Sequence, residues 1–262
     1  MLSTIQNWMR KRARVSERRT PADLMHYWIN PDGEGARAQW MHAELEKTGL
    51  RNRRVAACTP DALPVLHLPR RHAASPLQLA CLCSHFAAIE RGLDAGEDMF
   101  MVIEDDIAQP FSVDFERLVE SAPRGWEILQ LYVVNADRLD AMYTRSYLRG
   151  RLWERWHAKN HSTGAYLCSR DAALELVARF RRGAAIDLRA HRGPLVADDL
   201  LYRAAATYSM TYPLYIENAA FGSTLNSLRR LHLASHDVIR RIWSEGTSPD
   251  FATRRSAAPA HA

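Results

Sequence analysis

The chain has 262 residues, 47% of them apolar and 25% charged, close to the average of globular domains, so a collagen-like, disulfide-stapled or wholly disordered chain is excluded. Its formal charge of +5 resides in residues 1–20, where six cations accompany one anion, and residues 21–262 carry 29 charges of each sign. The body is neutral, and no nucleic-acid partner is expected from it.

Residues 1–22 read as a basic leader. Leu2, Ile5, Trp8 and Met9 recur at helical spacing before the arginine cluster, which suits either an interfacial helix on anionic lipid or a solvated segment. No apolar run reaches the roughly 18 residues of a membrane-spanning helix. The four cysteines, Cys58, Cys81, Cys83 and Cys168, include no Cys-x-x-Cys pair, and Cys81 and Cys83, flanking Leu82 in a helical pattern, read as small core residues in a reducing cytoplasm.

The body, 23–228, reads as one α/β domain. A strand is expected over 26–30, ending at the Pro31-Asp32-Gly33 turn, then a helix over 34–48 closed by Gly49 and a strand over 54–58. Ser75 and Pro76 supply a cap and a first-turn proline for a helix whose apolar face runs from Leu79 to Leu93. Met99 to Ile103 is an unbroken apolar run, as in a strand buried on both faces of a parallel sheet. Further strands are expected at 126–134, 165–168 and 208–216, with helices from Ser169 to near Gly183 and over 198–206. Residues 229–262 read as a last helix followed by an unstructured tail from Ser248.

Glu104, Asp105 and Asp106 follow the apolar run directly, where α/β sheets gather ligands. Adjacent carboxylates repel unless a cation shares their site, and hard oxygen ligands suit magnesium or manganese holding a substrate phosphate. An acidic solvated turn is the plainer reading of the same three residues. His85 either packs or orients these acids; Arg37 either reaches phosphate or lies solvated on a helix face. Ser84 and His85 are helix neighbours about 100° apart and make no nucleophile pair. Tyr166, with Trp153, Trp156 and His157, either stacks on sugar or fills the core. Thr224 and Asn226 either bind an acceptor or cap a helix.

Taken together, several segments resemble glycosyltransferase family 25, the bacterial lipopolysaccharide-type enzymes. They are Tyr27-Trp28-Ile29-Asn30 with Arg37 seven positions on, Ala80-Cys81-Leu82-Cys83-Ser84-His85, the Glu104-Asp105-Asp106 strand, Thr163-Gly164-Ala165-Tyr166-Leu167-Cys168-Ser169-Arg170, and Asp199-Leu200-Leu201-Tyr202. The resemblance spans roughly residues 26–226. It implies a GT-A type nucleotide-sugar-binding domain with a mixed, mostly parallel sheet flanked by helices. It further implies a metal-dependent, inverting transfer of a hexose, most often galactose, from a uridine diphosphate (UDP) sugar. Manganese or magnesium would be held by Glu104, Asp105 and Asp106. Donor contacts would come from Asn30, Arg37, Ser84, His85 and Glu104, and acceptor contacts from Tyr166, Thr224 and Asn226. The catalytic base would be Asp199, with the adjacent Asp198 as its rival. The acceptor would be a surface glycan such as lipopolysaccharide, or its lipid-linked precursor, reached from the cytoplasm with peripheral contact at the inner membrane. Two other classes use similar features: a metal-dependent phosphohydrolase or nuclease, and a non-catalytic glycan-binding module.

Overall fold

A computed structural model of the chain describes residues 23–221 and 229–255. The elements run β1 (Met25–Asn30), α1 (Ala36–Thr48), β2 (Asn52–Ala56), β3 (Leu66–His67), α2 (Pro76–Asp94), β4 (Met99–Glu104), β5 (Ile107–Ala108), β6 (Phe111–Val113), α3 (Phe115–Glu120) and β7 (Ile128–Gln130). They continue with α4 (Ala136–Arg145), β8 (Trp153–Arg155), β9 (Ala165–Ser169), α5 (Arg170–Phe180), β10 (Arg181–Arg182), β11 (Ala185–Asp187), α6 (Ala197–Ala204), β12 (Thr207–Met210), β13 (Ile216–Glu217), α7 (Arg229–Glu245) and β14 (Ala252–Arg254).

Seven strands form one mixed sheet in the order β2-β1-β4-β9-β7-β12-β8. Five of them run the same way, while β9 and β8 oppose their neighbours. The sheet is buried on both faces, as the apolar run of β4 requires. Phe100 and Val102 pack with Tyr27, α2, α5 and α6. Met101 and Ile103, one residue out of phase, pack with Trp28, α1, α4 and α7 on the other side. Gly92 of α2 lies so close to β4 that a Cβ there would overlap the Phe100 ring, which seats this helix on the strand.

Local chemistry explains the helix starts. Ser75 and Gln78 form a reciprocal capping box at α2, and Ser169 caps α5 through the Ala172 N–H. Gly49, at φ 64°, closes α1 in the left-handed conformation.

Several expected boundaries shift. The strand expected over 126–134 is short, because after Gln130 the chain leaves the sheet and Asn135 caps α4 by accepting from the Arg138 N–H at 3.1 Å. The strand expected over 208–216 divides into β12 and β13 around Pro213. The segment expected to be unstructured from Ser248 instead contains β14, which pairs antiparallel with β6. Phe251 beside it is buried in the same core as Ile239 and Ile242 of α7. Among the described residues, no helix is long and apolar enough to cross a membrane. The leader lies outside the described residues.

Candidate active site

Residues that follow β1, β2, β4 and β7, together with those that precede β9, border a cleft of about 520 Å³. This is the carboxyl end of the parallel strands, the usual ligand side of such sheets. Gly164 stands on its wall, where a Cβ would come within 2.8 Å of both Ile107 and Tyr132, so the close approach of backbone to side chains there needs a glycine.

The three adjacent acids divide between two sets of partners. Glu104 ends β4, and its N–H donates to the Gly164 carbonyl at 2.9 Å. Its carboxylate accepts from Thr163 Oγ1 at 2.9 Å and lies 3.4 Å from His85 Nε2. Asp105 accepts from Asn30 Nδ2 at 2.6 Å and lies 3.2 Å from Arg37 Nε. Asp106 pairs with another arm of the same guanidinium. The expected chelate of three carboxylates is therefore not formed, because Glu104 turns to Thr163 and His85 while Asp105 and Asp106 share Arg37. Among the described residues, the ligand atoms that do converge belong to Cys81, His85 and Glu104, all within 4.8 Å of one another.

Charge is unevenly matched here. Glu217, at the end of β13, is buried on the same cleft, pairs with His232 and lies 3.9 Å from His236. Burial pushes the Asp106 carboxyl well above its usual range and the Glu104 and Glu217 charges add to this, against the opposing pull of Arg37. Burial likewise raises Asp105, opposed by Arg37 and Asn30. Burial works the same way on Glu104, yet His85, Thr163 and Arg37 together bring it below its ordinary value. Asp105 and Asp106 share one guanidinium and offer only oxygen. That donor set fits magnesium or manganese, which commonly takes one or two carboxylates and completes its shell with water and phosphate.

Asp198 and Asp199 open α6 and part company. Asp198 lines the cleft, accepts from the Ser162 N–H at 3.2 Å and lies 3.7 Å from His161 Nδ1. Burial opposes its ionisation, but His161 and the N–H groups of Ser162 and Asp199 outweigh that and hold it below the usual range. Asp199 turns away from the cleft. Its carboxylate is gripped by the Arg203 fork at 3.0 and 2.6 Å and is covered by Gly193, where a Cβ would come within 2.5 Å of Oδ2. The geometry places Asp198 where the sequence reading preferred Asp199.

The other expected residues sort similarly. Arg37 is on the cleft and engaged with the acids. Asn30 is buried behind Asp105 and also accepts from Arg54 Nε at 3.0 Å, so it orients an acid instead of facing the cleft. The Ser84 hydroxyl is occupied, donating to the Ala80 carbonyl at 2.8 Å and accepting from the Cys58 N–H at 2.9 Å. Tyr166 is fully buried, its hydroxyl 3.2 Å from His85 Nδ1, which removes it as an acceptor contact. Thr224 and Asn226 lie outside the described residues. Cys81, expected in the core, borders the cleft, as does Cys58.

Sequence reading missed Glu217, His232, His161 and Thr163. The last two flank Ser162, a non-glycine residue at φ 98°, which is a strained conformation. Four hydrogen bonds hold it: its N–H donates to Asp198, its carbonyl accepts from Gln130 and Tyr202, and its hydroxyl accepts from the Gly164 N–H.

Fold and cleft together define an α/β protein with an acid-lined cleft at the carboxyl end of its sheet. No family model and no curated protein sequence matches the chain. Among solved structures, A197 from STIV is similar at 13% identity and a TM-score of 0.40, over 71% of this chain and 80% of that one. A glycosyltransferase involved in the glycosylation of the major capsid of PBCV-1 is similar at 8% identity and a TM-score of 0.34, over 82% and 98%. A putative glucose-1-phosphate thymidylyltransferase from Bacillus anthracis is similar at 12% identity and a TM-score of 0.35, over 80% and 76%. Likeness at this level carries no argument about activity, which rests on the cleft.

Proposed function

We propose that the protein is a metal-dependent inverting glycosyltransferase of the GT-A type. It would move a hexose, with galactose the first donor sugar to try, from a UDP-sugar to a hydroxyl of a bacterial surface glycan such as lipopolysaccharide. The observation that carries this reading is one cleft lined both by the Asp105 and Asp106 carboxylates, bridged by Arg37, and by the separate carboxylate of Asp198.

Bound magnesium or manganese at Asp105 and Asp106 would neutralise charge on the departing diphosphate. Arg37 then has two uses: it holds both acids in place, and its planar guanidinium can donate to phosphate oxygens. The apolar lining from Ile29, Pro31, Ala57, Pro60 and Leu77 suits a flat nucleobase beyond the acids. Asp198 is ionised at neutral pH and accepts the proton of the acceptor hydroxyl as it attacks the anomeric carbon. The Ser162 N–H and His161 fix that carboxylate in place. Inversion follows from this single displacement. The basic leader and the six cations of residues 229–262 would seat the enzyme at the anionic inner leaflet, on the cytoplasmic side.

The test is UDP release from UDP-galactose with and without a lipid-linked glycan acceptor. Acceptor-dependent release is expected, with Asp198→Asn slower by about 10²–10⁴-fold and Asp199→Asn close to wild type. Phosphate release or cleavage of nucleic acid without acceptor would replace this reading with a hydrolase.

A further inference from the structure

One cluster on the cleft is not used by the transfer chemistry. Cys81 and His85 are one turn apart on α2 and so share a helix face, which meets the end of β4 at Glu104. The thiol, an imidazole nitrogen and a carboxylate oxygen all lie within 4.8 Å of one another, and all three residues border the cleft. We propose that Cys81, His85 and Glu104 bind a thiophilic divalent metal of the zinc class, at a site separate from Asp105 and Asp106 and with its fourth position open to the cleft.

Three features carry this. The donor set is mixed sulfur, nitrogen and oxygen, which selects zinc-like ions, whereas magnesium and manganese favour oxygen alone. Three protein ligands beside an open position is the arrangement of zinc sites that keep an exchangeable water. Each of two ligands also has an outer partner of the kind that fixes metal ligands: the Tyr166 hydroxyl lies 3.2 Å from His85 Nδ1, leaving Nε2 toward Glu104, and Thr163 Oγ1 donates to Glu104 at 2.9 Å. Binding replaces the thiol proton, which passes to solvent, with a metal–sulfur bond, and no electron is transferred.

The test uses cobalt as a coloured substitute for zinc, added to metal-free full-length protein. A thiolate-to-cobalt charge-transfer band is expected, saturating at one equivalent, removed by stoichiometric zinc and left unchanged by excess magnesium. Cys81→Ser should abolish it, while Cys58→Ser, at the neighbouring cysteine on the same cleft, should keep it. Absence of the band, its persistence in Cys81→Ser, its loss in Cys58→Ser, or its removal by magnesium would each overturn the site. A second readout on the wild-type chain needs no variant: zinc should protect Cys81 from alkylation, read by peptide mass, and unchanged alkylation would also overturn it. Both readouts are independent of sugar transfer, so failure of the transferase reading leaves this one standing.

Discussion

Replacing Asn30 by alanine tests whether the acid-lined cleft is built as described. Asn30 is 1% exposed, donates to Asp105 at 2.6 Å and accepts from Arg54 at 3.0 Å. A hydrogen bond to a charged group contributes about 1.5–3 kcal/mol. Arg54 is half-buried and can turn to water, so most of the cost falls on the buried Asp105, and Asn30→Ala should destabilise the protein by about 2–3 kcal/mol. In a domain of this size that is a fall of roughly 5–10 °C in Tm. The cost should depend on pH in one direction. Burial raises the Asp105 pKa and the Asn30 donor opposes that rise, so the bond stabilises the ionised carboxylate. Asn30→Ala should therefore cost most above the folded pKa of Asp105 and less as pH falls through it. Urea unfolding followed by circular dichroism at neutral and mildly acidic pH measures both effects. A change below about 0.5 kcal/mol, or a cost that grows as the pH falls, would refute the reasoning.

Two further predictions concern other parts of the molecule. His161 has its pKa raised by the Asp198 carboxylate 3.7 Å away, while Asp198 is lowered by the same contact against its burial. The Asp198 contribution is lost as pH falls through its folded pKa, and that of His161 as pH rises through its own. Urea midpoints of wild type and His161→Gln should differ most between those limits, by at most about 1 kcal/mol because His161 is close to half exposed; a difference constant across pH would contradict the pairing. Truncation after Ser248 removes β14 and the buried Phe251, and should cost about 3–5 kcal/mol. An unchanged Tm would restore the reading of that segment as an unstructured tail.

Much of the fold was legible because local signals and burial agreed. The run Met99 to Ile103 predicted a strand covered on both faces, and the two residue sets Phe100/Val102 and Met101/Ile103 do enter opposite cores. Ser75, Pro76 and Gly49 marked helix ends that depend only on neighbouring residues. What escaped depends on distant partners. Strand β9 lies antiparallel between β4 and β7, and nothing in Ala165–Ser169 encodes that direction. Strand β14 carries little apolar signal and exists because β6 offers it an edge.

The site divides the same way. Its location after β4 could be read from the sequence, whereas the partition of Glu104, Asp105 and Asp106 among His85, Asn30 and Arg37 comes from the packing that brings α2, β1 and α1 to the end of β4. Asp198 and Asp199 are neighbours about 100° apart on a helix. Which one faces the cleft follows from how Leu200, Leu201 and Tyr202 seat α6 against the sheet, a matter of packing that the pair itself does not disclose.

The most direct test of the central claim is calorimetric titration of UDP into the wild-type protein and Asp106→Ala, each with and without manganese. The account predicts manganese-dependent binding to the wild type and its loss, by about tenfold or more, in Asp106→Ala. Absence of UDP binding at millimolar ligand with manganese present, or equal affinity in the two proteins, would contradict it.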